Sequence, residues 1–507
     1  MKKSKLPDFS ESYWRDSCQI PEYEALTSDL EAEAVVIGGG ITGITTAYLL
    51  AKEGVKAVLI DGGKLLNGTT GHTTAKITCQ HGVIYDELIQ HFGIEQTKLY
   101  YEANHDGLKF IRSMIEDHQI DCDFSEEDAI IYAESESYLN QVQKEYEAYQ
   151  KLNIKSEYSD RIALDLAVNG AVSMKNQAQF HPVKYLTALV QEITKNGGEI
   201  FEGTTAVDIE ANNQLRVVTR EGHKISCKYA VVASHFPFYD GAGFYFARMH
   251  SERSYAIGVK AVHPYPGGMY LSADSPTRSL RYTDDNGEKL IIVGGESHQT
   301  GQDFCTSKHY DALHDFSERV IGISEIPYRW SAQDLITLDK IPYVGKISEN
   351  RENILVATGY RKWGMTNGTA AALILRDIIL EKKNLYADVF TPSRFKADPS
   401  LKTLVRENAD VAKHLIEGKL EMPDKTPADL GPDEGAAVTF NGKRAGAYKD
   451  PEGKLYVLDT TCTHMGCEVE WNNAERSWDC PCHGSRFSYK GEVVEGPAKD
   501  PLEKLDQ

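Results

Sequence analysis

The chain has 507 residues, with 55 Lys and Arg against 75 Asp and Glu and a formal net charge of −20. That length accommodates a large core plus a smaller appended unit, and the acidic balance argues against nucleic acid and anionic membrane surfaces as partners. The longest apolar candidate, 370–380, is broken by Arg376 and Asp377, so no membrane span is expected. The basic N-terminus MKKSKLPDFSESYWRDS has no apolar h-region, and the expected location is cytoplasmic.

Residues 34–37 read as an apolar strand leading into Gly38-Gly39-Gly40-Ile41-Thr42-Gly43 and an amphipathic helix with Ile44, Ala47, Leu50 and Ala51 inward, closed at Gly54. A second strand, 56–60, ends on Asp61. Glycine at 38, 40 and 43 lets the backbone approach a pyrophosphate on the helix N-terminus, and the Asp61 carboxylate can accept hydrogen bonds from a ribose. A glycine-rich turn alone is a weak signal; strand, helix and the following acid together make the dinucleotide fingerprint.

Beyond it comes the loop Gly68-Thr69-Thr70-Gly71-His72-Thr73-Thr74-Ala75, then helices expected at 84–121 and 137–152. A strand pair begins at Thr204-Thr205-Ala206-Val207 and is followed by KYAVVASH at 228–235. Strands of an antiparallel sheet are expected at 255–262, 269–273 and 289–293. Asp339-Lys340-Ile341-Pro342-Tyr343-Val344-Gly345 and the stretch from Ala357 through Thr366 come next, with a turn at 364–367 starting a helix that runs through 370–381. This pattern stops at Phe390; a polar helix over 400–417 then leads to a linker, Pro423-Asp424-Lys425-Thr426-Pro427, and to short strands at 436–440 and 455–458.

Near the C-terminus, Cys462-Thr463-His464-Met465-Gly466-Cys467 faces Cys480-Pro481-Cys482-His483-Gly484-Ser485. Thiolate and imidazole suit both a tetrahedral zinc and an iron–sulfur cluster. One Cys and one His in each knuckle suits a [2Fe-2S] cluster, with Cys462 and Cys480 on one iron and His464 and His483 on the other. Neutral imidazoles in place of thiolates favour the reduced cluster and raise its potential. Cys18, Cys79, Cys122, Cys227 and Cys305 show no paired spacing and read as reduced thiols.

The order and spacing of CTHMGC and CPCHGS resemble the Rieske proteins, most closely the high-potential branch of cytochrome bc complexes. The resemblance implies a disulfide between Cys467 and Cys482, and a hydrogen bond from Ser485 to a cluster sulfur that tunes the potential upward. Such a disulfide would be a local exception among cytosolic proteins. The family's tyrosine two residues beyond that serine is Phe487 here, so the potential is expected below the branch maximum. Gly496-Pro497-Ala498 resembles the loop that shields the cluster.

The motifs between about residues 30 and 385 resemble, in their order, the glycine oxidase and sarcosine oxidase class of FAD-dependent oxidoreductases. This implies FAD as cofactor, with Val207 meeting the adenine through its backbone. The helix begun around Gly364 and Thr366 would turn its positive end toward the flavin's pyrimidine edge. In dimethylglycine dehydrogenase-like members a histidine at the place of His72 is bonded covalently to the flavin; an orienting hydrogen bond is the alternative role. Trp363 and Tyr360 are candidates to wall the flavin face. Amino-acid-oxidising relatives place a carboxylate-binding arginine shortly before DxxPxxG, whereas this chain has Gln333-Asp334, with Arg329 further upstream. Asp334 would repel a carboxylate and could hold a cationic amine, unless it caps a turn or sits in a salt bridge.

The expected fold is therefore an α/β FAD-binding domain, Rossmann-like and of glutathione reductase type, with a discontinuous α+β substrate domain over 1–390. A helical linker over 391–425 and a small all-β Rieske domain over 426–507 follow. The expected function is an FAD-dependent oxidoreductase that oxidises a small organic substrate, an amine, and passes electrons to its own [2Fe-2S] cluster and on to an unidentified external acceptor. The alternative is an electron-transfer or redox-sensing flavo-iron-sulfur protein without a dedicated substrate. A single glycine fingerprint argues against a nicotinamide-dependent reductase. No facial-triad segment is evident in the sequence to support a Rieske oxygenase.

Overall fold

The computed structural model describes residues 6–211, 214–303, 305–394, 397–420 and 422–505. At its centre is a six-stranded sheet in the order Tyr343–Lys346, Ile354–Thr358, Tyr229–Val232, Ala34–Ile37, Ala57–Ile60, Glu199–Phe201, parallel except at the first strand. Strands such as AVVI and AVLI are buried along their whole length, and this explains their unbroken apolar reading: both faces of a parallel sheet are covered. Helices Ile41–Lys52 and Gly364–Ile379 pack against each other. The approach is close, since a Cβ on Gly368 would lie 2.8 Å from Thr42 Oγ1.

A second, nine-stranded sheet carries the discontinuous domain, with Ile323–Thr337 at one edge beside Met249–Ala261 and then Glu288–Gln299. The register across the edge pair is Glu252 to Asp334 and Arg253 to Gln333. The helix expected at 84–121 is Tyr85–Asp117, broken at Gly93, where φ is +80°. The strand expected at 255–262 begins earlier, at Met249, and helices Pro182–Lys195 and Ser307–Val320 lie outside the predicted elements.

The C-terminal unit has a three-stranded sheet (Glu434–Phe440, Lys443–Lys449, Leu455–Leu458) and a four-stranded one (Glu470–Asn472, Ser477–Asp479, Arg486–Ser488, Val493–Glu495). The preceding helix, Ala397–Leu420, is packed on both units: Asn408 donates to Ala247 O at 3.0 Å, while Val411 and Leu415 lie against the apolar cluster containing Cys462 and Trp478. Arg253, fully buried, crosses between the units to Glu495 at 3.0 Å, and Arg329 Nη1 donates to Ala474 O at 3.0 Å. Among the described residues no helix is long and apolar enough to cross a membrane.

Candidate flavin and iron–sulfur sites

Gly38 leaves the first strand at φ +117°, and a Cβ there would lie 2.4 Å from Ala233 O; a Cβ on Gly43 would lie 1.8 Å from Gly38 O. Gly40 is the N-cap of Ile41–Lys52. Gly38 and Gly43 have no room for a side chain, and the backbone amides of this turn form a cradle fitted to a pyrophosphate. Thr70 Oγ1 accepts from Ile41 N at 3.1 Å, bringing the 69–72 turn to the same helix end. Asp61 receives Gly39 N at 2.6 Å and Gly63 N at 2.7 Å, one on each carboxylate oxygen, while burial raises its pKa. Each oxygen retains a lone pair for a ribose hydroxyl. The cradle fits FAD. Val207, on the neighbouring strand Ala206–Ala211, gives its carbonyl to Lys499 Nζ of the C-terminal unit at 2.8 Å.

A cavity of about 530 Å³ lies against the nine-stranded sheet beside the 69–74 and 361–363 loops, and His72, Asp334 and Trp363 all line it. His72 Nδ1 lies 2.9 Å from Gly68 O, on the same turn. Trp363 is the N-cap of Gly364–Ile379 and stacks on His81 with centroids 5.3 Å apart. The amides at Gly364 and Thr366 open that helix and have no intrahelical acceptor, so its positive end lies beside the cavity. Thr366 Oγ1 is 3.0 Å from both Thr78 O and His81 Nε2. The Tyr360 hydroxyl is 2.8 Å from Thr42 Oγ1 and ties the segment before Gly364–Ile379 to the helix Ile41–Lys52. Between Tyr360 and Trp363 the chain passes through Arg361 (φ +55°) and Lys362 (φ +77°), two successive left-handed non-glycine residues at the cavity rim.

Burial pushes the Asp334 carboxyl up to about 7. Its cross-strand neighbour Glu252 behaves oppositely: burial opposes its charge, but the Lys362 ammonium at 2.9 Å outweighs that and lowers its pKa. Burial also pulls the cavity-lining Lys76 down to about 7 and His81 to about 3, so His81 is neutral. His81, Lys76, Glu252 and Lys362 belong to no motif; only the folded sheets bring them together.

In the C-terminal unit, Cys462 and Cys480 are buried, and the rings of His464 and His483 lie 5.0 Å apart. Both Nδ1 atoms are buried without a hydrogen-bond partner. Unsatisfied buried ring nitrogens are costly unless something ligates them. The Cys480 thiol beside it holds the Cys462 thiol below its ordinary range. Two thiols and two open imidazole nitrogens fit a [2Fe-2S] cluster with mixed ligands. Cys467 and Cys482 are joined by a disulfide between the two loops, with Cα atoms 6.5 Å apart. Ser485 Oγ accepts from Ala498 N at 3.0 Å and sits against the Cys462 thiol, while Phe487 is fully buried.

The two sites lie on opposite faces of the same two strands. Along Ile323–Thr337, Trp330, Ala332 and Asp334 line the cavity, whereas Ser331 and Gln333 point toward the C-terminal unit. Along Met249–Ala261, His250, Glu252 and Ser254 line it, whereas Ser251 and Arg253 point away. This is the ordinary two-residue alternation of a strand. Gln333 Nε2 donates to Gly484 O at 2.8 Å, and Thr69 Oγ1 donates to Gln333 O at 3.0 Å. Gly484 adjoins His483 and has no space for a side chain: a Cβ would be 2.6 Å from Ser251 Cβ. The cavity and the cluster loop are thus one sheet layer apart.

Fold and sites define a flavin-dependent oxidoreductase with an iron–sulfur domain attached. The chain belongs to the DAO family of FAD dependent oxidoreductases, whose family model matches residues 33–378, and the Rieske [2Fe-2S] domain model matches residues 421–506. FAD and a [2Fe-2S] cluster are its cofactors. It is 53% identical over 496 residues to the Rieske 2Fe-2S iron-sulfur protein YhfW of Bacillus subtilis, covering 98% of this chain and 97% of that protein. It is 23% identical over 399 residues to the gamma-glutamylputrescine oxidoreductase of Escherichia coli, covering 74% and 90%. In fold, glycine oxidase from Geobacillus kaustophilus superposes with a TM-score of 0.60 at 17% identity, covering 72% of this chain and 99% of that one.

Proposed function

We propose that this chain oxidises a small amine in the cavity beside its dinucleotide fold and passes the electrons to its own cluster and then to an external acceptor. When bound, FAD supplies a two-electron acceptor and the cluster a one-electron carrier. Asp334 changes from acid to carboxylate across the neutral range, so it can hold an ammonium substrate and take its proton, leaving the neutral amine that oxidation requires. Glu252 is already paired with Lys362 and leaves that role to Asp334. Trp363 and His81 give the cavity a flat wall, and Gly38, Gly40, Gly43 and Asp61 hold the dinucleotide.

The observation that carries this reading is the shared wall: Asp334 faces the cavity and its neighbour Gln333 is hydrogen-bonded to the cluster loop. An amine as substrate is also supported by two similar proteins, a gamma-glutamylputrescine oxidoreductase and a glycine oxidase.

The test is an anaerobic screen of amines, amino acids and nicotinamide nucleotides against the purified holoprotein, following flavin absorbance and the reduced-cluster EPR signal together. An amine that bleaches the flavin and then raises the EPR signal is the expected result. If dithionite alone does so, the substrate claim fails and the electron-transfer or sensing alternative replaces it. Flavin fluorescence on the denatured protein decides whether His72 is a covalent attachment or an orienting group.

A further inference from the structure

We propose that His298, Asp303 and His309 bind a divalent transition-metal cation on the flank of the cavity, at a site distinct from both cofactors. One ring nitrogen of each histidine and a carboxylate oxygen of Asp303 lie within 4.8 Å of one another. The histidines stand at the two ends of one loop: His298 is in the strand Glu288–Gln299 and His309 in the first turn of the helix Ser307–Val320.

The tautomers support ligation. His298 Nδ1 is 2.8 Å from Gln299 O, and a carbonyl only accepts, so the proton is on Nδ1 and Nε2 keeps its lone pair. His309 Nδ1 is 2.9 Å from Glu296 Oε2, and its Nε2 is 3.0 Å from Asp303 Oδ2. Metal-bound histidines characteristically give their other ring N–H to a backbone carbonyl or a carboxylate, and both partners are present here. Glu296 is in turn ion-paired with Arg278. Tyr255 stacks on both imidazoles, with centroids at 5.7 Å and 4.9 Å, and donates its hydroxyl to the His298 Nε2 lone pair at 3.0 Å, a hydrogen bond that the cation displaces.

The competing occupant of the gap between His309 Nε2 and Asp303 is a proton, which would make His309 an imidazolium clamped by two carboxylates. Lys308 also reaches Asp303 at 2.7 Å, but that side chain is 56% exposed and free to swing out. Two imidazoles and one carboxylate suit Fe²⁺, Mn²⁺ or Zn²⁺ and leave coordination positions open. The loop between the ligands carries two of the contacts that dock the iron–sulfur unit. Thr306 Oγ1 donates to Asn472 Oδ1 at 2.6 Å, and a Cβ on Gly301 would lie 2.6 Å from Pro481 N. A bound cation would fix both ends of that loop. The inference does not rest on the amine reading.

Equilibrium dialysis of the holoprotein against Co²⁺, with cobalt and iron counted separately, tests it. One cobalt per chain beyond the cluster irons is expected, accompanied by a rise in melting temperature with Co²⁺ concentration, because the cation binds only the folded state. His298→Ala and Asp303→Asn should abolish both effects while flavin absorbance and cluster EPR persist. Retention of cobalt by both variants, or no cobalt on the native protein, overturns the site. Should the variants lose their cofactors, X-ray absorption at the cobalt edge of the native protein decides: imidazole and oxygen neighbours support the site, and sulfur neighbours overturn it.

Discussion

At Asp334 the sequence already departs from an arginine clamp, and the structure turns that departure into a titration. As pH rises through about 7, Asp334 loses its proton, so kcat/KM for a cationic amine should rise with it. Asp334→Asn should remove that limb and raise KM by about tenfold or more, the loss of one charge-assisted hydrogen bond of about 1.5–3 kcal/mol; a pH profile of steady-state kinetics checks both. Ser485→Ala should lower the cluster's midpoint potential in an EPR-monitored redox titration. It removes a hydroxyl beside Cys462 and leaves Ala498 N–H without its acceptor, at a stability cost of about 1–3 kcal/mol. The cysteine and histidine spacing was legible in the sequence because the whole donor set sits in two short loops. Lys76 and His81 were not, since only burial gives them their character.

The strand–turn–helix at residues 34–52 was readable because its signals, the apolar strand, the glycine spacing and the helix period, are local in sequence. Gly43→Ala should demonstrate that: a methyl 1.8 Å from Gly38 O closes the cradle, and the protein should purify without flavin absorbance while keeping the cluster's EPR signal. The wall strand Met249–Ala261 was misread at the end that matters. Ser251, Glu252, Arg253 and Ser254 are polar on both faces, one toward the cavity and one toward another domain. No apolar alternation exists there for a two-residue period to reveal. Helix Pro182–Lys195 packs behind the flavin fold without any motif of its own. The His298–His309 grouping escapes for a different reason: its ligands bracket a loop whose closure depends on the sheet beneath.

The docking of the two units was beyond sequence reading altogether, since Arg253 and Glu495 are 242 positions apart. Arg253 also approaches Asp479 at 3.7 Å. Arg253→Met would leave those carboxylates to Arg486 alone, which contacts them at 3.3 and 3.2 Å. Removing one partner of a buried ion pair costs about 3–5 kcal/mol, and with Arg486 remaining the low end is expected. Calorimetry should show the iron–sulfur unit melting ahead of the flavoprotein unit in the variant, with a single merged transition in the native chain.

That fixed docking also decides how the molecule can discharge. His483 is buried with its ring 5.9 Å from Phe246, while His464 is half-buried and next to Met465, which is 50% exposed. Both histidines pack against Phe246 of the flavoprotein unit, so under the proposed function an external acceptor would draw electrons at the exposed Met465 side of the cluster loops. With a net charge of −20 on the chain, the rate of that proposed encounter should change with ionic strength.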